Sequence, residues 1–292
     1  MRLTFWGTRG SIGVPGPDTV VFGGNTTCLE IAGCGRTIIL DAGTGIRALG
    51  LELMRHTPVS CTIFITHTHW DHIQGLPFFV PLFVPGNTVT MCGTFDPVHN
   101  KDLREVLAAQ MDYNYFPVSS VELAADITYQ TLREGQTVDC GEARVTPVIM
   151  NHPVISFGYK VSCGGRSVFF TGDHEDYANI YEPGEPFYQE YEDFIRQKRA
   201  QIADCIRGVD VLVSDCQYTE AEYPAKAGWG HSTPSMAVAL AQAAGVGRLF
   251  LTHHEPTRAD ADLALFLEDI RERFKTTGIA IDMAREGQSV EI

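Results

Sequence analysis

Short apolar runs recur along the chain, and each ends at a glycine, a proline or a cluster of polar residues. Runs rich in Val, Ile, Leu and Phe that are bounded by turn residues are typical of buried β-strands. This pattern predicts strands at 3–6, 26–32, 37–40, 61–65, 89–92, 127–132, 143–149, 156–161, 167–171, 209–215, 248–252 and 288–292.

Longer stretches, in which charged residues are spaced among apolar ones, lie between these runs and predict helices. The predicted helices are 46–55, 98–111, 187–207, 258–274, and one that opens at Pro234 with Ser232 or Thr233 as its cap. Strands in two series, with helices between and after them, predict an α/β (α+β) chain. The expected architecture is an αββα sandwich, two stacked mixed β-sheets flanked by helices. No shift in composition marks a linker, so we predict a single domain over 1–292.

The composition narrows the classes of function. With 292 residues, of which 44% are hydrophobic, the chain can bury a large core. The net charge is −14, and no block is rich in Lys or Arg, which argues against a broad electrostatic contact with nucleic acid. An anionic substrate would therefore have to be attracted by the site itself.

The cysteines and the apolar segments predict a compartment. The eight cysteines are scattered without a Cys-x-x-Cys pair, so we predict reduced core or loop residues of a cytoplasmic protein and no disulfide framework. The first strand meets the glycine-rich turn at 7–11 before an export signal could form. The most apolar later run, 76–85, is too short to span a bilayer and is cut by prolines, so we predict core or a pocket wall and no membrane contact.

Directly after the predicted strand 61–65, the chain carries three of its ten histidines and an aspartate within six positions. These residues are His67, His69, Asp71 and His72. His67 and His69 project to the same side if strand geometry continues, whereas the other two lie past the bend. Imidazoles and carboxylates are ligands of divalent metals, so the cluster predicts a site that can serve two adjacent ions. Surface histidines in a polar loop are the plain alternative.

The pattern His-x-His-x-Asp-His resembles that of the metallo-β-lactamase superfamily. That family continues with an isolated histidine, an aspartate at a strand end and a last histidine, and this chain has His152, Asp173 and His253 in that order. The likeness spans nearly the whole chain. It implies the metallo-β-lactamase fold and a metal-dependent hydrolase.

The resemblance further implies seven ligands shared between two divalent ions. The ligands of the first ion would be His67, His69 and His152, those of the second Asp71, His72 and His253, and Asp173 would bridge the two. Imidazoles and carboxylates without thiolates suit Zn²⁺, Mn²⁺ or Fe²⁺, with Zn²⁺ as the default. Two such ions against two aspartates leave the pocket about two charges positive, a local anion trap. Ions about 4 Å apart can share and acidify a water and so supply hydroxide at neutral pH.

A second pair of residues resembles those of ribonuclease Z and related phosphodiesterases. Asp215 ends the strand 209–215, and His231 lies in a Gly-His-Ser-Thr stretch, although ribonuclease Z usually has glutamate in place of this aspartate. A protonated His231, oriented by Asp215, can stabilise phosphorane oxygens or donate a proton to the leaving alkoxide. We therefore predict Asp71, Asp215 and His231 as catalytic residues. A His231 that merely opens a helix is the alternative.

The spacing of the motifs narrows the substrate. Most ribonuclease Z members carry a protruding arm between the third and fourth motifs, but His152 and Asp173 are joined here by little more than a hairpin. The acidic charge also disfavours long nucleic acids. We predict hydrolysis of a small anionic phosphodiester, a cyclic nucleotide or a cyclic phosphate, by attack of a metal-bridging hydroxide.

Several other functions stay open at this point. They are a ribonuclease Z-like RNA 3′-processing endonuclease, a thioesterase or lactonase of the same fold, a di-iron oxygen or nitric oxide reductase, and a non-catalytic metal sensor. The pair of Asp215 and His231 argues against a thioesterase or lactonase. His69 argues against the reductases, which usually have glutamate in place of the second histidine. The sequence leaves open the metal, the physiological diester and the oligomeric state, although a homodimer is common among relatives.

The roles of a few residues also stay open. Asp41 either braces the histidine loop through hydrogen bonds or caps a helix. The glycines of 7–11 form either a phosphate cradle or, as we expect, a tight turn. The aromatic stretch 112–117 either walls a pocket or packs. His174 and His254 either contribute to the site or do not.

Overall fold

Fourteen strands form two mixed sheets of seven strands each in the computed structural model, which describes residues 1–292. The first sheet contains β1 (Arg2–Gly7), β2 (Cys28–Ala32), β3 (Thr37–Leu40), β4 (Ser60–Phe64), β5 (Thr88–Gly93), β6 (Asp126–Thr131) and the last strand, β14 (Ser289–Glu291). The second contains β7 (Val138–Cys140), β8 (Ala143–Met150), β9 (Ser156–Cys163), β10 (Arg166–Phe170), β11 (Val211–Asp215), β12 (Arg248–Thr252) and β13 (Ala280–Met283).

The two sheets are built in the same way. In the first, neighbouring strands are antiparallel from β14 through β1 and β2 to β3, and parallel from β3 to β6. In the second, neighbours are antiparallel from β7 to β10 and parallel from β10 to β13. The two halves of the chain therefore repeat one topology, with β14 returning to the first sheet.

Helices cover the outer face of each sheet. The α-helices are α1 (Ile46–Leu53), α2 (Trp70–Ile73), α3 (Leu103–Ala109), α4 (Tyr188–Cys205), α5 (Pro234–Ala243) and α6 (Asp260–Arg273). Short 3-10 helices lie at Pro17–Thr19, Leu76–Phe78, Val80–Phe83, Ser120–Glu122, Tyr223–Ala225 and Lys275–Thr277.

Three apolar clusters hold the layers together. One lies between the sheets and includes Phe5, Tyr159 and Phe250. The first three helices pack on the first sheet in a second cluster, and the last three pack on the other sheet in a third. Burial of apolar side chains on both faces of a sheet explains why most strands appear as continuous apolar runs in the sequence. The predicted αββα sandwich is confirmed.

The helix predicted at 98–111 is shorter than expected. Helix α3 begins after Asp102, whose side chain accepts a hydrogen bond from the Glu105 N–H at 2.9 Å, while the Glu105 side chain accepts from the Asp102 N–H at 2.9 Å. This reciprocal capping box fixes the start of the helix. Two short strands, β7 and β13, were not predicted because each has only three or four residues and lies at a sheet edge.

The prediction that all eight cysteines are reduced is wrong for one pair. Cys34 and Cys163 form a disulfide bond between the two halves of the chain, with their Cα atoms 6.2 Å apart. The partners are 129 positions apart in the sequence, so no local pattern reveals them. The other six cysteines are free.

The apolar run 76–85 lies in the core cluster of the first sheet, as predicted, with Leu76, Phe79 and Leu82 buried. No helix combines the length and the apolar character needed to cross a membrane.

Candidate metal centre

The predicted site residues follow the carboxyl ends of strands. Strands β8, β10, β11 and β12 run in one direction, since β8 and β10 are both antiparallel to β9 and the last three are parallel. Their ends lead to His152, Asp173, Asp215 and His253 at one edge of the second sheet. Strand β4 of the other sheet leads to His67. Side chains that follow strand ends pointing the same way meet at one edge.

The first ligand group contains His67, His69, His152 and Asp173, each with one ligand atom within 4.8 Å of the others. His67 Nε2 lies 3.0 Å from His69 Nδ1, which lies 3.2 Å from His152 Nε2. Asp173 Oδ2 lies 3.5 Å from His67 Nε2. Three imidazole nitrogens and one carboxylate oxygen therefore converge, which is the donor number of a tetrahedral zinc site.

The second ligand group contains Asp71, His72, His253 and Asp173, again within 4.8 Å of one another. His253 Nε2 lies 3.1 Å from Asp71 Oδ2 and 3.2 Å from Asp173 Oδ1. His72 Nε2 lies 3.1 Å from the same oxygen of Asp173. Asp173 therefore turns Oδ2 to the first group and Oδ1 to the second. The structure brings all seven residues together in the predicted division, and their role as metal ligands stays a prediction.

The outer ring nitrogens of the histidines are held by hydrogen bonds. His72 Nδ1 donates to Asp41 Oδ2 at 2.7 Å, His152 Nδ1 to the Gly230 carbonyl at 3.0 Å, and His253 Nδ1 to Gln217 Oε1 at 3.1 Å. Each bond fixes the orientation of the ring and turns Nε2, the nitrogen that would bind a metal, inward. Metal-binding histidines are held in this way.

Asp41 braces the histidine loop and does not cap a helix. Besides His72, its carboxylate accepts from the Thr66 N–H at 2.7 Å and from the Thr66 hydroxyl at 2.9 Å. The N-cap of α1 is Gly45. Asp41 and His253 also have positive φ angles, 63° and 62°, a strained conformation for residues other than glycine that occurs at functional sites.

Two buried atoms of the site, which lie 3.1 Å apart, make no hydrogen bond of good geometry. They are His72 Nε2 and Asp173 Oδ1, both of the second ligand group. An unsatisfied buried polar atom costs about 1–3 kcal/mol, so atoms of this kind call for an ion or another ligand. Their donor chemistry, imidazole nitrogen and carboxylate oxygen, fits a divalent metal.

Without a metal, the carboxylates of the second group hold protons on the histidines. Burial lowers the pKa of His72, but Asp173, Asp71 and Asp41 outweigh it and keep that pKa well above its usual value. Burial lowers the pKa of His253 as well, but Asp173 and Asp71 outweigh it and raise this pKa to about 9. Burial raises the pKa of Asp173, but the facing histidines hold it well below its usual range. The second group therefore attracts positive charge.

The first group behaves differently. Burial lowers the pKa of His67 well below its usual value and that of His152 to about 4. These imidazoles are therefore neutral at pH 7, the form that binds a metal.

The predicted pair of Asp215 and His231 lies directly beside the ligand groups. His231 Nδ1 donates to Asp215 Oδ2 at 3.0 Å, and its ring stacks on that of His253 with centroids 4.8 Å apart. Asp215 is fully buried and also accepts from the N–H groups of Gln217 at 3.1 Å and His174 at 3.2 Å. No hydrogen bond within the protein uses His231 Nε2, and the side chain is 12% exposed. The ring is thus fixed on one side and accessible on the other.

Glu175 organises the loop that carries His231, and sequence reasoning missed it. Glu175 is 6% exposed, and its carboxylate accepts from the N–H groups of Gly228 and Gly230, each at 2.7 Å, and from the Tyr223 hydroxyl at 2.6 Å. The carbonyl of Gly230 in turn holds His152. The only sequence signal for Glu175 is its position two residues after the candidate ligand Asp173.

Two further contacts were also missed. The Ser11 N–H donates to Asp71 Oδ2 at 2.7 Å, so the glycine-rich turn at 7–11 braces a candidate ligand. Gln217, which holds His253, donates through Nε2 to Glu255 at 2.9 Å and to the Ser11 hydroxyl at 3.2 Å. These residues join elements far apart in the sequence.

The remaining candidates lie outside the ligand groups. His254 Nε2 donates to the Ala284 carbonyl at 2.8 Å and its ring packs edge-on against Phe22, so it is a packing residue. His174 is buried beside Asp173 and belongs to neither group. In the stretch 112–117, Tyr113 and Tyr115 are exposed.

Most of the chain is similar in sequence to known proteins. A family model described as the β-lactamase superfamily domain matches residues 36–254. Ribonuclease Z of Exiguobacterium sibiricum is 28% identical over 78% of this chain and 83% of its own length. Ribonuclease Z of Thermoplasma acidophilum is 25% identical over 95% of this chain and 93% of its own.

Solved structures share the fold. The metallo-β-lactamase fold protein YhfI from Bacillus subtilis superposes with a TM-score of 0.69 at 17% identity, over 100% of this chain and 98% of that one. A diphosphatase from the PhnP family gives a TM-score of 0.65 at 18% identity, over 100% and 97% of the two chains. With the family match over most of the chain, these findings show that the protein belongs to the metallo-β-lactamase superfamily, in its ribonuclease Z-like branch, and is a metallo-hydrolase of that fold.

Proposed function

We propose that this hydrolase cleaves a small anionic phosphodiester, with two divalent ions held by the two ligand groups and Asp173 shared between them. Zn²⁺ is the default ion for these donors, with Mn²⁺ and Fe²⁺ as the alternatives. When bound, such ions supply an acidified water as nucleophile and neutralise charge on phosphoryl oxygens.

The observation that carries the proposal is the position of His231. Hydrolysis of a diester forms a bond from a water oxygen to phosphorus and breaks the bond to an alkoxide, which must take up a proton to leave. His231 is oriented by Asp215 through Nδ1, and its Nε2 is free to donate that proton or to contact a phosphoryl oxygen. A lactone or thioester makes less demand on such a group, which favours the phosphodiester.

The surroundings of the site support a small substrate with an aromatic base. Trp70, between His69 and Asp71, and Trp229, two positions before His231, are 64% and 60% exposed and offer flat faces on which a nucleobase can stack. Only strands β9 and β10 and their turn separate His152 from Asp173, so the arm that most ribonuclease Z members use is absent. The net charge of −14 disfavours a long polyanion.

A screen on protein of measured metal content tests the proposal. The panel contains cyclic nucleotides, a base-free cyclic phosphate, bis-p-nitrophenyl phosphate, a thioester and a lactone. We expect turnover of the diesters, with cyclic nucleotides ahead of the base-free phosphate. Faster turnover of the thioester or lactone by metal-loaded protein would assign the site to the other hydrolase class, and no turnover of any compound would favour a metal sensor.

A ribonuclease Z-like RNA 3′-processing endonuclease is the second candidate, because the curated relatives given above carry that name. A transfer RNA precursor with a 3′ extension, added to the same panel, separates the two. Cleavage of the precursor that exceeds the hydrolysis of every small diester in kcat/KM would replace our proposal with this one. A homodimer is the expected oligomeric state, and light scattering on the same preparation measures it.

A further inference from the structure

A second cavity, of about 240 Å³, lies between α4 and α5 and shares no residue with the two ligand groups. Its apolar wall is formed by Ile202 of α4 and by Met236 and Leu240 of α5. A cavity of about 150 Å³ accepts a benzene ring, so this one has room for a ring with a short substituent. It opens to the surface beside Ala239 and Ala243, which are exposed.

One ring nitrogen of a buried histidine that lines this cavity makes no hydrogen bond within the protein. His174 is 6% exposed and lines the wall opposite the helices. Its Nδ1 accepts a hydrogen bond from the Asn151 N–H at 3.2 Å, so the ring proton must lie on Nε2. No residue of the protein accepts from Nε2. His174 Nε2 is not fully enclosed, so it is open to the cavity, where the oxygen of a ligand can accept its hydrogen bond.

The other polar groups of the cavity cancel in charge. Arg199 and Asp176 form a two-point ion pair, with Nε to Oδ1 and the terminal nitrogen to Oδ2 each at 2.8 Å. The same guanidinium donates to the Tyr177 carbonyl at 2.7 Å. Because Asp176 neutralises its charge, Arg199 leaves no unpaired positive charge for an anion.

We propose that this cavity is a binding site for a small uncharged molecule, with an apolar body against Met236 and Leu240 and one oxygen that accepts from His174 Nε2. The site is separate from the substrate site. It nevertheless adjoins the hydrolytic pair, because the His174 N–H donates to Asp215 Oδ2 at 3.2 Å and its carbonyl accepts from the Ser232 hydroxyl. A molecule bound in this cavity therefore contacts His174, whose backbone N–H positions Asp215. Such a molecule can act as an effector of the hydrolytic site.

Acetophenone tests the proposal, since it combines a ring with one carbonyl acceptor. Cumene has the same shape without the acceptor, and benzoate carries a charge. Binding to the 292-residue protein is measured by ligand-observed NMR titration, which does not depend on activity. We expect saturable binding of acetophenone with Kd of about 1 mM, about three- to tenfold tighter than cumene and tighter than benzoate.

Two variants at exposed positions of α5 locate the binding. Ala239→Trp places a bulky side chain at the cavity mouth, and we expect it to weaken acetophenone binding at least tenfold. Gln242→Trp adds the same side chain to a position outside the cavity and should leave Kd unchanged. Binding that does not saturate, equal binding by both variants, or a preference for benzoate would overturn the proposal. Failure of the diester screen would leave these results unaffected, so the two proposals are tested independently.

Discussion

His231 is the residue at which chemistry and metal binding are best separated, because it faces the ligand groups but lies outside both. We expect His231→Ala to reduce the turnover of a cyclic nucleotide, whose leaving group is an alkoxide, about 10²–10⁴-fold, the usual contribution of a positioned acid or base. The metal content, measured by mass spectrometry, should stay that of the natural protein. Asp71→Ala is the comparison and should lose metal as well as activity. Equal metal loss in both variants would contradict the division of roles.

Asp41 acts one step further from the metals, through His72. Asp41→Asn keeps the shape but removes the charge and one of the acceptors that hold the His72 ring and Thr66. We expect metal affinity to fall about 10–100-fold, as for other residues that orient a metal-binding histidine. The measurement is competition with a chromogenic chelator.

Asp18→Asn is the matched control for this change, since it makes the same replacement at an exposed position of the 3-10 helix Pro17–Thr19. Its affinity should equal that of the natural protein. If Asp41→Asn also binds metal with unchanged affinity, then Asp41 serves only to fold the loop.

At the scale of elements, the loop 228–231 depends on one carboxylate. In Glu175→Gln an amide nitrogen must face the N–H of Gly228 or Gly230, which both now donate to carboxylate oxygens. We expect faster amide hydrogen exchange in this loop and a fall in kcat of about tenfold, because the loop carries His231 and holds His152 through the Gly230 carbonyl.

Tyr223→Phe is the graded control, since it removes only the hydroxyl that donates to the same carboxylate. Both glycine contacts remain in this variant, so the loop should exchange as in the natural protein and kcat should change less than threefold. Equal exchange in the two variants would show that the carboxylate is not what holds the loop.

The elements also explain how far the sequence could predict the site. Strand ends and ligands appear as local signals, because an apolar run followed by a histidine or aspartate lies within a few residues, as at His67 and Asp173. Glu175, Gln217 and Ser11 could not be found in this way. They act through backbone groups or side chains of distant segments, and only the packing of the two sheets brings them close. The disulfide partners Cys34 and Cys163 were missed for the same reason.

At the scale of the whole molecule, the site lies where the two halves meet. The first half supplies the ligands between His67 and His72, and the second half supplies His152, Asp173 and His253. Ser11 of the first half contacts Asp71 and also Gln217 of the second half, which holds His253. Metal binding and the stability of the whole fold should therefore be coupled.

This coupling predicts a pH dependence that reverses with metal. In the metal-free protein the pKa of His253 is raised from its usual 6.5 to about 9, and that of His72 is also raised. Between pH 6.5 and 9 the folded state binds more protons than the unfolded chain. The stabilisation that comes from these two histidines is therefore fully present below pH 6.5 and is lost as the pH rises through their raised pKa values. For His253 alone, the loss between pH 6.5 and 8.5 is about 2 kcal/mol. The pKa of His152 is lowered to about 4, so its protonation changes the stability only below pH 6.5.

Urea unfolding of the metal-free protein, followed at pH 6.5, 7.5 and 8.5, measures this loss directly. Metal ions need neutral imidazoles, so the ions compete with the protons that His72 and His253 hold, and their affinity should increase over the same range. We therefore expect the metal-loaded protein to keep or gain stability as the pH rises, and the two curves to diverge. Parallel curves for the two forms would mean that these histidines do not exchange protons for metal, and the second ligand group would then have to be reassigned.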